Sequence, residues 1–172
     1  MIALVIGGSG SGKSAYAEKL VKQISVNNRI YIATMRVWDQ ESEIRVVRHR
    51  AQRKELGFET IECPVRLDGI EIPQDATVLL EDIPNLVANE MFDENGDVSR
   101  IIPGLRKLAR SCKNLVMVTG NIFADGRDYD PETKEYIRLL SNVNAAAAML
   151  ADCSVEVVYT IPVPFKGELP CA

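Results

Sequence analysis

The chain has 172 residues, of which 47% are hydrophobic and 26% charged, a composition typical of a globular protein with one sizeable core. Its formal net charge of -4 argues against a nucleic-acid-binding protein, because such proteins usually carry clustered Lys and Arg. No apolar run is long enough for a membrane span, and the N-terminus lacks the regions of a signal peptide. We therefore expect a cytoplasmic protein.

The four cysteines form no C-x-x-C pair and do not cluster in the sequence; they are Cys63, Cys112, Cys153 and Cys171. The chain has a single histidine, so a zinc site would need cysteines gathered from distant positions. This pattern favours buried or incidental thiols over a structural zinc site.

Apolar runs alternate with stretches of helical period along the chain. In chain order, the predicted elements are strand 2–6, helix 14–24, strand 30–34, helix 39–56, strand 58–63, strand 77–81, a helix to about 92, turn 93–97, helix 98–112 interrupted near Pro103, strand 114–119, helix 130–151 and strand 154–160. Strands that alternate with helices predict a parallel sheet with right-handed crossovers.

A glycine-rich loop lies between the first predicted strand and the first predicted helix. It reads Gly7, Gly8, Ser9, Gly10, Ser11, Gly12, Lys13, Ser14 and matches G-x-x-x-x-G-K-[ST] in full. The glycines let backbone N–H groups approach phosphate oxygens, and the helix adds its positive N-terminal end. The alternative is a flexible Gly/Ser turn that matches by chance. The flanking strand and helix favour a phosphate-binding loop.

The loop predicts roles for two side chains and for an acidic partner. Lys13 would contact the β- and γ-phosphates, and the Ser14 hydroxyl would ligate Mg²⁺. The metal also needs a carboxylate at the end of a neighbouring strand, for which Glu81 is the first candidate and Asp82 the next. The alternative for Glu81 is a strand-end carboxylate that faces water. The sequence has no Asn-Lys-x-Asp guanine motif, so an ordinary regulatory GTPase is excluded.

Together these features predict one α/β domain over residues 1–172, a P-loop NTPase-type three-layer fold with a mostly parallel central sheet. Its nucleotide would be a triphosphate, and the predicted activity is transfer of part of that nucleotide to a small molecule.

The single histidine, His49, lies in a basic stretch. In a helix, Arg45, His49 and Arg53 would share one face, and the flanking guanidiniums would disfavour protonation of the imidazole. A neutral imidazole is a nucleophile, and the arginines would hold the phosphate that it attacks. A solvated basic helix face with an incidental histidine explains the same residues. The residues alone leave both interpretations open.

The order and spacing of several short motifs resemble the adenosylcobinamide kinase/adenosylcobinamide-phosphate guanylyltransferase family of cobalamin biosynthesis. The matching motifs are the loop at residues 7–14, Tyr31-Ile32-Ala33-Thr34, the acidic residues before Arg45-x-x-x-His49-x-x-x-Arg53, Thr60-x-Glu62, Leu79-Leu80-Glu81 with Asn89 behind it, Val118-Thr119, and Asn142-Val143-Asn144 before an alanine-rich helix.

The resemblance implies an enzyme with two activities. It implies phosphorylation of the aminopropanol hydroxyl of adenosylcobinamide by ATP or GTP, and then transfer of GMP from GTP to adenosylcobinamide phosphate through a guanylylated histidine. His49 matches that histidine. By the same resemblance, the guanine nucleotide contacts Ala33, Thr34, Met35, Arg50, Ala51, Gln52, Arg53, Glu62 and Glu81. The resemblance also implies a homotrimer.

Two segments differ from the family pattern. Asp82 follows Glu81 where the family favours Cys or an aliphatic residue, and Gly120-Asn121 replaces the family's Asn-Glu after the Val-Thr strand. Two further hypotheses therefore stay open: a P-loop kinase for a small molecule without guanylyl transfer, and a nucleotide-binding regulatory protein without catalysis.

Overall fold

The computed structural model describes residues 1–26, 28–36, 56–121 and 127–168. The strands are β1 (Ile2–Gly7), β2 (Arg29–Ala33), β3 (Phe58–Glu62), β4 (Thr77–Glu81), β5 (Asn114–Gly120), β6 (Cys153–Val158) and β7 (Ile161–Lys166). The α-helices are α1 (Lys13–Ile24), α2 (Ile83–Phe92), α3 (Ile101–Ser111) and α4 (Pro131–Leu150). Short 3₁₀ turns lie at Leu67–Gly69 and Val98–Arg100.

The described strands form one sheet in the order β3-β2-β4-β5-β1-β6-β7. All neighbouring pairs are parallel except β6 and β7, which are antiparallel. β1, which leads into the glycine loop, lies inside the sheet between β5 and β6. The predicted α/β fold with a mostly parallel sheet is confirmed.

Successive side chains of each strand point to opposite faces of the sheet, and helices cover both faces. In β1, Leu4 faces a core built with α2, α3 and α4, whereas Ala3 and Val5 face a second core built with α1. Because both faces are covered, the central strands are apolar almost without interruption. The three predicted layers are therefore sheet, α1 side and α2–α4 side.

An aspartate cap and a proline in the first turn mark the starts of α2 and α4. Asp130 caps α4 by accepting from the Thr133 N–H at 2.9 Å, and a proline follows at the first helical position. The predicted interruption near Pro103 is wrong. Pro103 lies in the first turn of α3, where a missing N–H costs no helical hydrogen bond, and the change from 3₁₀ to α geometry comes earlier, at Ile101.

The C-terminal hairpin is the main difference from the predicted elements. The strand predicted over 154–160 ends at Val158, and residues 159 and 160 form a turn. β7 was not predicted, because its two prolines argue against a strand; they are tolerated here since β7 is an edge strand. The predicted helix 39–56 lies almost entirely outside the described residues. Within the described ranges, no helix has the length and apolar character needed to cross a membrane.

Candidate phosphate-binding site

The glycine loop connects β1 directly to α1. Gly10 and Gly12 have φ angles of 69° and 90°, a left-handed conformation that residues with a side chain rarely adopt. The Ser11 N–H donates to the Gly8 carbonyl at 3.3 Å, which closes the loop. The glycines therefore serve the compact, turned backbone that the motif predicts.

The start of α1 supplies N–H groups that are not used within the helix. The Tyr16 N–H donates to the Gly12 carbonyl at 3.0 Å, so the N–H groups of Lys13, Ser14 and Ala15 precede the helical hydrogen bonds. The Lys13 ammonium folds back over the loop and donates to the Gly8 carbonyl at 3.2 Å. The Lys13 ammonium and the unused N–H groups at the start of α1 thus lie close together, an arrangement that favours binding of an anion.

Glu81 lies next to the loop at the carboxyl end of β4. The Ser14 hydroxyl donates to its carboxylate, and the Tyr31 hydroxyl donates to the other carboxylate oxygen at 3.0 Å. Glu81 is therefore held on both oxygens by protein groups. A serine hydroxyl beside a carboxylate suits Mg²⁺, a hard cation that takes few protein ligands and several waters or phosphate oxygens. The residues present fit the ion.

Asp82 has a different role from the neighbouring Glu81. It caps α2: its Oδ1 accepts from the Asn85 N–H and from Asn85 Nδ2, each at 2.8 Å. Burial raises the pKa of the Asp82 carboxyl, and Glu81 raises it further, whereas the bonds from Asn85 and the charge of Lys13 lower it. Its backbone N–H donates to Thr34 Oγ1 at 2.7 Å, and that hydroxyl donates to the Asp82 carbonyl at 2.8 Å.

The segment after β2 is tied into the interior. Ala33 and Thr34, two of the predicted nucleotide contacts, are buried, with 6% and 0% of their surface exposed. The Thr34 carbonyl accepts from Asn89 Nδ2 at 2.7 Å, and the same amide group donates to the Pro64 carbonyl at 3.0 Å. Asn89 thereby joins the segments that follow β2 and β3. Met35 lies in the first of these segments, and the exposed Glu62 is the last residue of β3, directly before the second.

His49 and the predicted nucleotide contacts that follow it lie outside the described residues; those contacts are Arg50, Ala51, Gln52 and Arg53. Their predicted roles remain predictions. Tyr31 appeared in the sequence only as part of the family pattern, and its contact with Glu81 was not predicted. That contact depends on the register of β2 against β4, in which Ala33 pairs with Glu81. No local sequence pattern indicates this register.

We expect Asp82→Ala to lower the free energy of unfolding by about 1 kcal/mol, because the start of α2 loses its cap. Asp82→Asn should stay close to wild type, since the amide oxygen can accept the same hydrogen bonds. Urea unfolding of the three proteins measures both changes. Equal losses in the two variants would show that the charge of Asp82, rather than its capping oxygen, stabilises the helix.

The thiols of the described cysteines are expected to be weak nucleophiles. Burial raises the pKa of Cys63 and of Cys112 to about 11, and it also raises the pKa of Cys153. Among the described residues, no group of three or more His, Cys, Asp or Glu side chains is placed to hold a metal ion.

In a Cys171→Ser variant, we expect iodoacetamide at pH 8 to modify the folded chain roughly 100-fold more slowly than the urea-unfolded chain, because little thiolate is present. The rate for the folded chain should rise with pH until about 11, as the thiols of Cys63 and Cys112 ionise. Mass spectrometry of samples quenched over time measures these rates. Similar rates in the folded and unfolded chains would contradict the burial of the thiols.

The fold and the glycine loop define the chain as a P-loop α/β protein: a phosphate-loop motif between a buried parallel strand and a helix, with an acidic residue from a neighbouring part of the sheet at its serine. Residues 3–165 match the model of the CobU family, described as cobinamide kinase / cobinamide phosphate guanyltransferase. The chain belongs to this family.

Two curated relatives are similar over part of the chain. The bifunctional adenosylcobalamin biosynthesis protein CobU of Escherichia coli (strain K12) is 39% identical over 100 residues, and that of Salmonella typhimurium (strain LT2) is 35% identical over 100 residues. Each match covers 56% of this chain and 54% of the relative, so the chain spans about half the length of the curated relatives it matches.

Two solved structures align with most of the chain at low sequence identity. A protein of Pyrococcus horikoshii OT3 aligns over 96% of this chain and 86% of its own length, with 9% identity and a TM-score of 0.48. The P4 protein of bacteriophage phi6 aligns over 94% of this chain and 52% of its own length, with 13% identity and a TM-score of 0.40. Neither similarity is high enough to support an inference about this chain.

Proposed function

We propose that the chain is a bifunctional transferase of cobalamin biosynthesis. In the first reaction, the aminopropanol hydroxyl of adenosylcobinamide attacks the γ-phosphorus of ATP or GTP, and the nucleoside diphosphate leaves. In the second, a nitrogen of His49 attacks the α-phosphorus of GTP and pyrophosphate leaves. The phosphate oxygen of adenosylcobinamide phosphate then attacks the guanylyl phosphorus, and the phosphorus–nitrogen bond to His49 breaks.

The observation that supports this proposal most strongly is the family match over residues 3–165, which includes the glycine loop with Lys13 folded over it. In the proposal, Lys13 neutralises the transferred phosphate, and the loop N–H groups bind the β- and γ-oxygens. Ser14 and Glu81 hold Mg²⁺, which supplies positive charge to the phosphates.

The guanine nucleotide is proposed to lie beyond the ends of β2 and β3, against the residues predicted from the family resemblance: Ala33, Thr34, Met35, Arg50, Ala51, Gln52, Arg53, Glu62 and Glu81. Since Ala33 and Thr34 are buried, Met35 and Glu62 are the residues of the described set best placed for side-chain contact. We also propose that residues 1–172 act as one domain, that the protein works in the cytoplasm, and that it assembles as a homotrimer.

Mass spectrometry of the intact chain tests the guanylyl-transfer half. After incubation with GTP and Mg²⁺, one guanylyl group should be attached, in an acid-labile and base-stable bond. Added adenosylcobinamide phosphate should remove it and yield the guanylylated product. Phosphorylation of adenosylcobinamide is followed separately with ATP and with GTP.

The outcomes separate three functions. Phosphorylation without an adduct would leave a P-loop kinase alone. Nucleotide binding with neither product would leave a binding protein. An adduct that adenosylcobinamide phosphate fails to discharge would exclude that acceptor.

A further inference from the structure

Tyr31 has a fixed position inside the sheet. It lies in β2, between β3 and β4, and only 5% of its surface is exposed. Its ring meets the ring of Phe58 edge to face, with centroids 6.0 Å apart and planes at 89°, which is a favoured arrangement for two aromatic rings. Both residues belong to the buried core on the α1 side of the sheet. This packing restricts the ring and therefore sets the direction of its hydroxyl group.

The strand register directs this hydroxyl group to Glu81. Tyr31 pairs with Leu79 of β4, and Glu81 follows two residues later on the same face of the sheet. Long side chains reach such diagonal neighbours. The phenol donates to Glu81 Oε2 at 3.0 Å, whereas the Ser14 hydroxyl donates to the other oxygen, Oε1. The buried phenol thus has as its partner the carboxylate that is proposed to hold Mg²⁺.

The two hydroxyl groups differ in what a bound metal ion requires of them. The Ser14 oxygen is itself a proposed ligand of the ion, so its hydrogen bond to Glu81 serves the site without metal. The Tyr31 phenol is bonded to the oxygen that Ser14 leaves free, and an ionised carboxylate has about four lone-pair sites, so this bond and metal ligation are compatible. A carboxylate that is already held in one orientation loses less conformational entropy when it binds an ion.

We propose that Tyr31 is a positioning residue for the metal site of the glycine loop: its hydroxyl group holds the Glu81 carboxylate beside Ser14 and thereby strengthens binding of nucleotide with Mg²⁺. This inference rests on the proposed function, since it requires a nucleoside triphosphate and Mg²⁺ at the loop. Hydrogen-bond partners of metal-ligating carboxylates commonly contribute about 10- to 100-fold to metal affinity or activity. In this role Tyr31 acts only through Glu81.

Calorimetric titration of the full chain with ATP, once with Mg²⁺ and once with EDTA, tests the proposal. The ratio of the two affinities, here called the Mg²⁺ effect, measures how much the ion strengthens nucleotide binding. Tyr31→Phe removes only the hydroxyl group and keeps the ring against Phe58. We expect this variant to reduce the Mg²⁺ effect by about 10-fold or more, while its affinity for ATP in EDTA stays that of the wild type.

Tyr136→Phe is the matched control. The Tyr136 hydroxyl also donates at 3.0 Å, but its acceptor is the backbone carbonyl of Pro84 in α2. This variant loses a hydrogen bond of the same length without removing a contact to Glu81, so its Mg²⁺ effect should equal that of the wild type. Urea unfolding of both variants separates the two roles, because a purely structural hydrogen bond would change stability and leave the Mg²⁺ effect unaltered.

A double-mutant cycle with Glu81→Gln tests whether Tyr31 acts through Glu81. The amide has the shape of the carboxylate but no charge, so the Mg²⁺ effect should fall in Glu81→Gln alone. Adding Tyr31→Phe should then cause little further loss, because the group that Tyr31 positions no longer attracts the ion. Fully additive losses would show that Tyr31 affects metal binding by another route, and they would overturn the inference.

The remaining outcomes separate the inference from the proposed function. A wild-type chain with a clear Mg²⁺ effect that persists in Tyr31→Phe would reject the positioning role and leave the proposed function intact. Equal losses with Mg²⁺ and with EDTA would assign Tyr31 to the shape of the nucleotide site and reject a role in metal binding. A wild-type chain that binds ATP no better with Mg²⁺, or not at all, would remove the proposed metal site together with the inference.

Discussion

Lys13→Ala should reduce phosphoryl transfer by at least about 10²- to 10³-fold, the loss expected when one charge-stabilising group is removed from a transition state. The fold should survive. Lys13 makes one hydrogen bond in the structure, to the Gly8 carbonyl, and the loss of one such bond changes the free energy of unfolding by about 1 kcal/mol. Initial rates with adenosylcobinamide, together with urea unfolding, measure the two effects.

Lys22→Ala is the matched control, because Lys22 is an exposed lysine in the last turn of the same helix. It changes the charge of the chain equally but lies more than two helical turns from the loop. Near-normal turnover in Lys13→Ala would refute the assignment of the loop. Equal losses in both lysine variants would mean that overall charge matters rather than the position of the ammonium group.

His49→Ala should abolish guanylyl transfer below detection while phosphorylation of adenosylcobinamide continues. The proposed transfer forms a bond to this side chain, so no residual route through the same intermediate remains. Radiolabel from the α-phosphate of GTP should stay on the wild-type chain after base treatment and be absent from the variant.

A lysine can form a similar acid-labile bond to phosphorus, so the position of the label also has to be mapped. His49 is the single histidine of the chain and lies between Arg48 and Arg50, so cleavage after both arginines separates it from every lysine, and a label on that fragment identifies His49. Lys13→Ala serves as a second control. The amount of label on this variant shows whether attachment of the guanylyl group requires an intact glycine loop. Full labelling of His49→Ala would contradict the proposed nucleophile.

The local patterns predicted most of the fold. Both faces of the central sheet are buried, so strands such as β4 and β5 read as continuous apolar runs, and β4 begins and ends where the sequence places it. β7 escaped prediction for a physical reason. Ile161, Val163 and Phe165 are strand-forming residues at alternate positions, but the two prolines between them argue against a strand, because proline is tolerated mainly in edge strands.

The candidate site was predictable where a local sequence pattern marks its residues. The loop and Lys13 follow from a single motif, and Glu81 from its place at a strand end. The hydrogen bond from Tyr31 to Glu81 and the contact of Thr160 with the loop join residues far apart in the chain. Sheet order and hairpin register create these contacts. Asp82 shows a further limit: the sequence offered it as a second metal ligand, whereas its carboxylate caps α2.

The central claim is that the N–H groups around the glycine loop bind the phosphates of a nucleoside triphosphate. Titration of the ¹⁵N-labelled chain with ATP and Mg²⁺ tests it most directly. The account predicts large amide shifts at Gly10, Gly12, Lys13 and Ser14 that saturate with one nucleotide. Amide signals of these four residues that stay in place while ATP binds elsewhere would contradict it.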